Sequence, residues 1–263
     1  MKFAKKYTEY WKKNVKKPID GLKIAGEKEV LKFLPLLNIE VNNKVLDLGC
    51  SYGRLNPILS LFSKNIYGVD PDKFAVETAS KEDYMDVKVG DAENINFDNS
   101  YFDKIFCWAV YDVVDHFKGL LEANRVLKKD GKILITGKLD NYFLDDKKAL
   151  SAEKNAFLKS FPNHFVDMEL LFKNIEMLGF SIKKLLIFLK RGDMGKLEFL
   201  EFDPQFTSKI MGYEYLMILK KTGDFQRGDY IRLDQPHSKT AINQANKAGY
   251  TSVRDYFKFI GID

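Results

Sequence analysis

Two glycines and an acid in the first third of the chain carry its clearest chemical signal. The stretch Leu46–Arg54 reads LDLGCSYGR, with three residues between Gly49 and Gly53. Asp70 follows Gly49 by 21 positions (70 − 49 = 21). Glycines at a turn between a strand and a helix let the backbone come close to a ligand, and the helix start offers unpaired N–H groups. An acid at the end of the next strand can accept both hydroxyls of a ribose. Together they describe a nucleoside site at the carboxyl ends of parallel strands. The spacing opposes a dinucleotide fingerprint, G-x-G-x-x-G, because Cys50 and Ser51 stand where that pattern needs a glycine. A nicotinamide-dependent oxidoreductase is therefore the disfavoured alternative.

The surrounding periodicity supplies elements to hold these residues. Val30, Leu31, Leu34 and Leu37 repeat at helical spacing over 27–37. Short apolar runs then predict strands at 44–48, 65–70, 87–89, 103–108 and 132–136. Helical stretches at 55–62, 72–81 and 117–128 lie between them. Regular alternation of this kind implies right-handed crossovers and a parallel sheet covered on both faces. Beyond Thr136 the alternation loosens: helices are expected over 145–161 and 168–178, and strands over 181–189 and 213–219. The expected layout is a helical cover over 1–40, an α/β domain over 41–222 with inserted segments at about 139–166 and 191–209, and a mostly helical appendage over 223–263.

Composition sets the class. The chain has 263 residues, 45% of them apolar, and a net charge of 42 − 37 = +5. That length suits one large α/β domain with extra elements. The longest apolar run, 185–189, is too short to span a bilayer. The opening residues MKFAKKYTEYWKKN hold no hydrophobic stretch, so a cytoplasmic protein with no membrane partner is expected. Lysines crowd before Pro18, and this charge reads as a solvated helix face, with no nucleic-acid partner expected. The two cysteines, Cys50 and Cys107, make no disulfide framework and read as small buried side chains.

Four stretches, in order and spacing, resemble the motifs of the class I S-adenosylmethionine (SAM) methyltransferases. They are LDLGCSYGR (46–54), YGVDPD (67–72), GDAENINFDNSYFD (90–103) and ANRVLKKDGKILIT (123–136). The resemblance is closest to the small-molecule branch, of ubiquinone and menaquinone type. The resemblance implies a Rossmann-like sheet of seven mostly parallel strands, with the last strand antiparallel and helices on both faces. It also implies SAM as the cofactor and S-adenosylhomocysteine as product. By the same resemblance Gly49, Cys50, Ser51 and Gly53 wrap the cofactor, and Asp47 lies under its methionine end. Asp70 binds the ribose, Pro71 packs on adenine, Asp91 and Ala92 meet the adenine edge, and Trp108 offers its carbonyl to the ammonium. Tyr10 and Trp11 match an aromatic pair that folds over the cofactor.

This chain departs from the pattern twice. Ser51 replaces a common glycine, which a negative φ would accommodate. Asp112 stands where relatives often have histidine, in the segment that faces the methyl acceptor. If the acceptor is a hydroxyl, a general base must take its proton. Asp112, His116 and His164 are the candidates. A small molecule is the expected acceptor, with a phosphorylated or sugar-type surface-glycan precursor suggested by Arg191, Arg227 and Arg232. An oxygen-ligand metal site from Asp112 or Asp115 with Asp140 and Asn141 is the alternative, but Asp140 lies several residues past its strand, and no metal is expected. A non-catalytic protein of SAM-binding fold is the remaining alternative.

Overall fold

The structure, a computed structural model, describes residues 27–203, 210–226 and 228–260. Helix α1 (Glu27–Phe33) runs into a 3-10 turn at Leu34–Leu37, and strand β1 (Lys44–Leu48) follows. Next come α2 (Asn56–Leu59), β2 (Asn65–Asp70), α3 (Lys73–Ala79), β3 (Asp86–Val89) and β4 (Phe102–Cys107). A 3-10 turn, Tyr111–Val113, leads to α4 (His116–Val126) and the long strand β5 (Leu127–Leu139). Then α5 (Lys147–Leu158), β6 (Phe165–Val166), α6 (Met168–Asn174), β7 (Phe180–Phe188), α7 (Asp193–Lys196) and β8 (Leu200–Phe202) complete the middle of the chain. The last elements are β9 (Glu214–Lys221), β10 (Asp234–Gln235), α8 (Lys239–Lys247) and α9 (Val253–Phe259).

The sheet runs β3-β2-β1-β4-β5-β9-β7, with the short β8 at the far edge. Strands β1 to β5 are parallel, and β9 is antiparallel to both β5 and β7. This is the expected seven-stranded arrangement, extended by three short strands. Successive strand residues face opposite ways, so neighbours feed two cores. Leu46, Ile105, Ile133 and Leu219 pair in register and pack under α4 and α6. Val45, Phe106, Leu134 and Ile218 point the other way, toward Val30 and Phe33 of α1.

One helix boundary differs from the periodicity. Leu127 leaves the helix and pairs with Phe102, and the register then slips before Lys104 meets Lys132. The turn between them holds Asp130 at φ 66°.

Past Cys107, strand β4 ends and β6 takes its place beside β5, pairing Lys138 with Phe165. Strand β10 then adds antiparallel to β6, with Asp234 opposite Val166. Residues of the segment after 223 thus enter the sheet, and Leu233 lies in the main core. A buried polar cluster fastens the rest. The hydroxyls of Tyr142 and Ser238 donate to Glu153 Oε2 at 2.8 and 2.6 Å, and the Ser238 N–H donates to Glu153 Oε1 at 3.0 Å.

Candidate functional site

Topology brings the first three motifs and Trp108 to one edge. Residues 49–53, 70–71, 91–92 and 108 follow the carboxyl ends of β1, β2, β3 and β4, which are neighbours in the sheet. Parallel strands pointing the same way must deliver their following loops to the same side.

The glycine turn is held from beneath. The N–H groups of Gly49 and Cys50 donate to the Val69 carbonyl at 2.8 and 3.1 Å. Gly49 has φ +82°, and a Cβ there would lie 2.4 Å from Val110 Cγ2. Only glycine fits both demands. Ser51 is a correction to the sequence reading: its φ is +51°, in the left-handed region. The conformation aims the Ser51 N–H at Asp70 Oδ2, 2.9 Å away, and the Asp72 N–H donates to Asp70 Oδ1 at 2.9 Å. The same carboxylate therefore shapes the turn and closes the end of β2.

Asp70 and Asp47 are both buried. Burial lifts the Asp70 carboxyl to about 6, against the backbone donors of Asp72 and Ser51, which lower it. Burial lifts Asp47 to about 7, although the Tyr84 hydroxyl donates to its Oδ2 at 2.8 Å. Tyr84 was not anticipated; it lies far along the chain from Asp47 and in no motif. Cys50 and Cys107 are buried free thiols, and burial pushes both upward. Asp91 accepts from the Glu93 N–H at 2.9 Å, Ala92 is buried, and Pro71 is half-buried. Trp108 is buried, its ring stacked on Phe106 at 5.9 Å and near Phe33 at 6.4 Å. The fourth motif serves this edge indirectly. Arg125 donates to the carbonyls of Ile95 and Phe97 at 2.7 and 2.8 Å, holding the loop that follows Asp91. Tyr10, Trp11 and Arg227 lie outside the described residues.

The proposed acceptor end lies where β4 gives way to β6. Asp112 Oδ2 pairs with Lys138 Nζ at 2.9 Å, while Asp112 Oδ1 is buried with no hydrogen-bond partner among the described residues. Lys138 also donates to Asn163 Oδ1 at 2.6 Å. The Asp112 carbonyl accepts the His164 N–H at 2.8 Å, so the two candidate bases do come together. Glu214 is lifted to about 7 by burial, against the pull of Lys138.

His116 differs from expectation. It is fully buried, its Nδ1 3.0 Å from Asp234 Oδ2 and its Nε2 2.9 Å from the Tyr215 hydroxyl. Its backbone N–H donates to the same Asp234 oxygen at 2.6 Å. The other oxygen, Oδ1, lies 2.7 Å from His164 Nδ1. Burial raises the Asp234 carboxyl, but the hydrogen bonds from His116 and His164 outweigh it and hold the group well below the usual carboxylate range.

Asp140 is engaged elsewhere, paired with Lys239 at 2.9 Å and near Gln235 at 3.3 Å. Among the described residues no three His, Cys, Asp or Glu side chains form a metal-holding group. No helix among them is long and apolar enough to cross a membrane.

Residues 46–135 match the model of a family described as a methyltransferase domain. Over 111 residues the chain is 32% identical to an uncharacterized methyltransferase of Bacillus subtilis, YcgJ, covering 40% of this chain and 43% of that protein. It is 28% identical over 141 residues to the methyltransferase GfsG of Streptomyces halstedii, covering 49% of each. The chain thus spans about half the length, or less, of these curated relatives. A solved SAM-dependent methyltransferase of Thermotoga maritima superposes with a TM-score of 0.54 at 19% identity, over 84% of this chain and 97% of that one. At such identity the likeness is one of fold.

Proposed function

We propose that this chain, which carries a methyltransferase domain over residues 46–135, binds SAM and directs its methyl group to a hydroxyl of a small molecule. One observation carries the reading: the glycine turn, Asp70 and Asp91 follow the ends of three neighbouring strands, as a nucleoside requires. The residues fit the cofactor. The bare Cα of Gly49 keeps the turn compact, and the Asp70 carboxylate retains lone pairs for ribose hydroxyls beyond those taken by two backbone N–H groups. Pro71 and Ala92 would flank the adenine, Asp91 would accept from its amino group, and Asp47 and Trp108 would lie toward the methionine end. Tyr10 and Trp11 would close over it. The resemblance of the four motifs is closest to the ubiquinone and menaquinone type, and the reading places the chain in that branch.

When bound, SAM supplies a methyl group on a sulfonium that is already a good leaving group. The chain's own work is to align the acceptor, exclude water and take a proton. His164 is suited to the proton, since its side chain is 23% exposed, whereas His116 is buried. Asp112 is held by Lys138 through one oxygen and would receive an acceptor hydrogen bond through the other. Of the arginines that suggest a phosphorylated or sugar-type acceptor, Arg232 is held by its own segment, Nε donating to the Asp234 carbonyl at 3.0 Å.

Calorimetry with SAM, followed by a methyl-transfer screen against small phenols and alcohols, tests the reading. Binding together with release of S-adenosylhomocysteine is the expected result. Binding without release from any acceptor would favour a non-catalytic SAM-binding protein, and preference for NADH would overturn the cofactor.

The turn itself makes a sharper prediction. Gly49→Ala puts a methyl group against Val110 at a positive φ, so the turn must shift. SAM affinity should fall by more than about tenfold, roughly the 1–3 kcal/mol expected of backbone strain. Undiminished affinity by calorimetry would mean that the cofactor does not rest on this turn.

A further inference from the structure

The segment after residue 223 contributes a carboxylate that the methyl-transfer reading leaves without a role. Asp234 is buried between two imidazoles, with Oδ2 toward His116 and Oδ1 toward His164. His116 is in turn braced by Tyr215, at 2.9 Å from Nε2. These partners come from four separate elements: α4, β9, β10 and the loop before β6. Nothing in the core requires two histidines to share one acid; apolar side chains would fill the same space more cheaply.

We infer that Asp234 is the positioning residue that presents His164 as the general base for the acceptor hydroxyl. The inference rests on the methyl-transfer reading. A carboxylate accepts, so it selects the Nδ1–H form of each imidazole it faces. In His164 this leaves the lone pair on Nε2. The acceptor proton then passes to Nε2 as the new O–C bond forms. The S–C bond breaks with its electron pair left on sulfur, and the imidazolium later gives the proton to water. Asp234 Oδ1 stabilises that imidazolium, while His116 and Tyr215 hold the carboxylate in place. Asp112, whose backbone carbonyl accepts the His164 N–H at 2.8 Å, has its own charge paired with Lys138 at 2.9 Å.

The substitution Asp234→Asn separates positioning from mere packing. The His116 backbone N–H, 2.6 Å from Oδ2, can only donate, so the amide oxygen must take that position. His116 Nδ1–H, also directed at Oδ2, keeps its acceptor. The amide NH₂ then occupies the Oδ1 position, 2.7 Å from His164 Nδ1, and that nitrogen must accept. The proton of His164 moves to Nε2, and the base loses its lone pair where the acceptor needs it.

The chain has only three histidines, so long-range ¹H–¹⁵N spectra of the full chain can be assigned ring by ring. At about pH 8, above the ordinary imidazole range of roughly 6.5, wild-type His164 should appear as the Nδ1–H tautomer. In Asp234→Asn it should switch to Nε2–H while His116 stays unchanged. With whichever phenol or alcohol supports turnover by the wild type, kcat should fall by roughly 10²–10⁴-fold, while KM for SAM stays constant. An unchanged His164 tautomer in the variant, or Nε2–H already in the wild type, would overturn the assignment. The wild-type spectrum decides even if the variant does not fold. Failure of the wild type to bind SAM would instead remove the methyl-transfer reading, whatever the tautomer shows.

Discussion

Replacing Asp70 by Ala should weaken SAM binding by at least tenfold. The carboxylate is proposed to accept two ribose hydroxyls, and hydrogen bonds to a charged group contribute about 1.5–3 kcal/mol each. The substitution also frees the Ser51 N–H, which Asp70 holds at 2.9 Å, and so loosens the left-handed residue of the turn. Both effects act in the same direction. Because burial raises Asp70 to about 6, the charged form is complete only above that pH. SAM affinity of the wild type should therefore be full above about pH 7 and decline as pH falls through 6. The decline should be shallower in Asp70→Asn, which cannot titrate there, while Asp47, lifted to about 7, still does. Calorimetry across this range reads both effects. Wild-type affinity in Asp70→Ala would remove the ribose assignment, and a flat wild-type profile would remove its dependence on charge.

Substituting His164 by Gln should lower turnover by roughly 10²–10⁴-fold, the usual contribution of a general base. Glutamine retains polarity and approximate reach but has no basic nitrogen near neutral pH. SAM binds at the ends of β1, β2 and β3 in this reading, whereas His164 stands before β6, so SAM affinity should stay within about twofold. Asp112→Asn should cost less, since Asp112 is tied to Lys138 and retains an acceptor oxygen after the change. Single-turnover rates measured with saturating SAM separate the chemical step from binding. Full activity in His164→Gln would point to Asp112, or to an acceptor that needs no base.

The sequence was most informative where structure is local. Strand and helix periods reveal the alternating order directly, because side-chain burial repeats every two residues in a strand and every three or four in a helix. The turn after β1 and the acid ending β2 were legible for the same reason: each is defined by a short run of neighbours. Their convergence was also implied, since parallel neighbouring strands must send their loops to one edge. Even there, the sign of φ at Ser51 was hidden. It depends on the hydrogen bond to Asp70, which is 19 residues away.

Farther along the chain, residue type and spacing alone determined a list of candidate bases and no ranking among them. Tertiary structure separated them: His116 went into the core, His164 stayed partly exposed, and Asp112 was taken up by Lys138. It also introduced Asp234, which meets His164 across 70 residues and His116 across 118. No periodicity encodes such a meeting. It follows from β6 filling the place that β4 vacates beside β5 and from β10 adding to β6, long-range pairings whose free energy comes from the whole packed sheet.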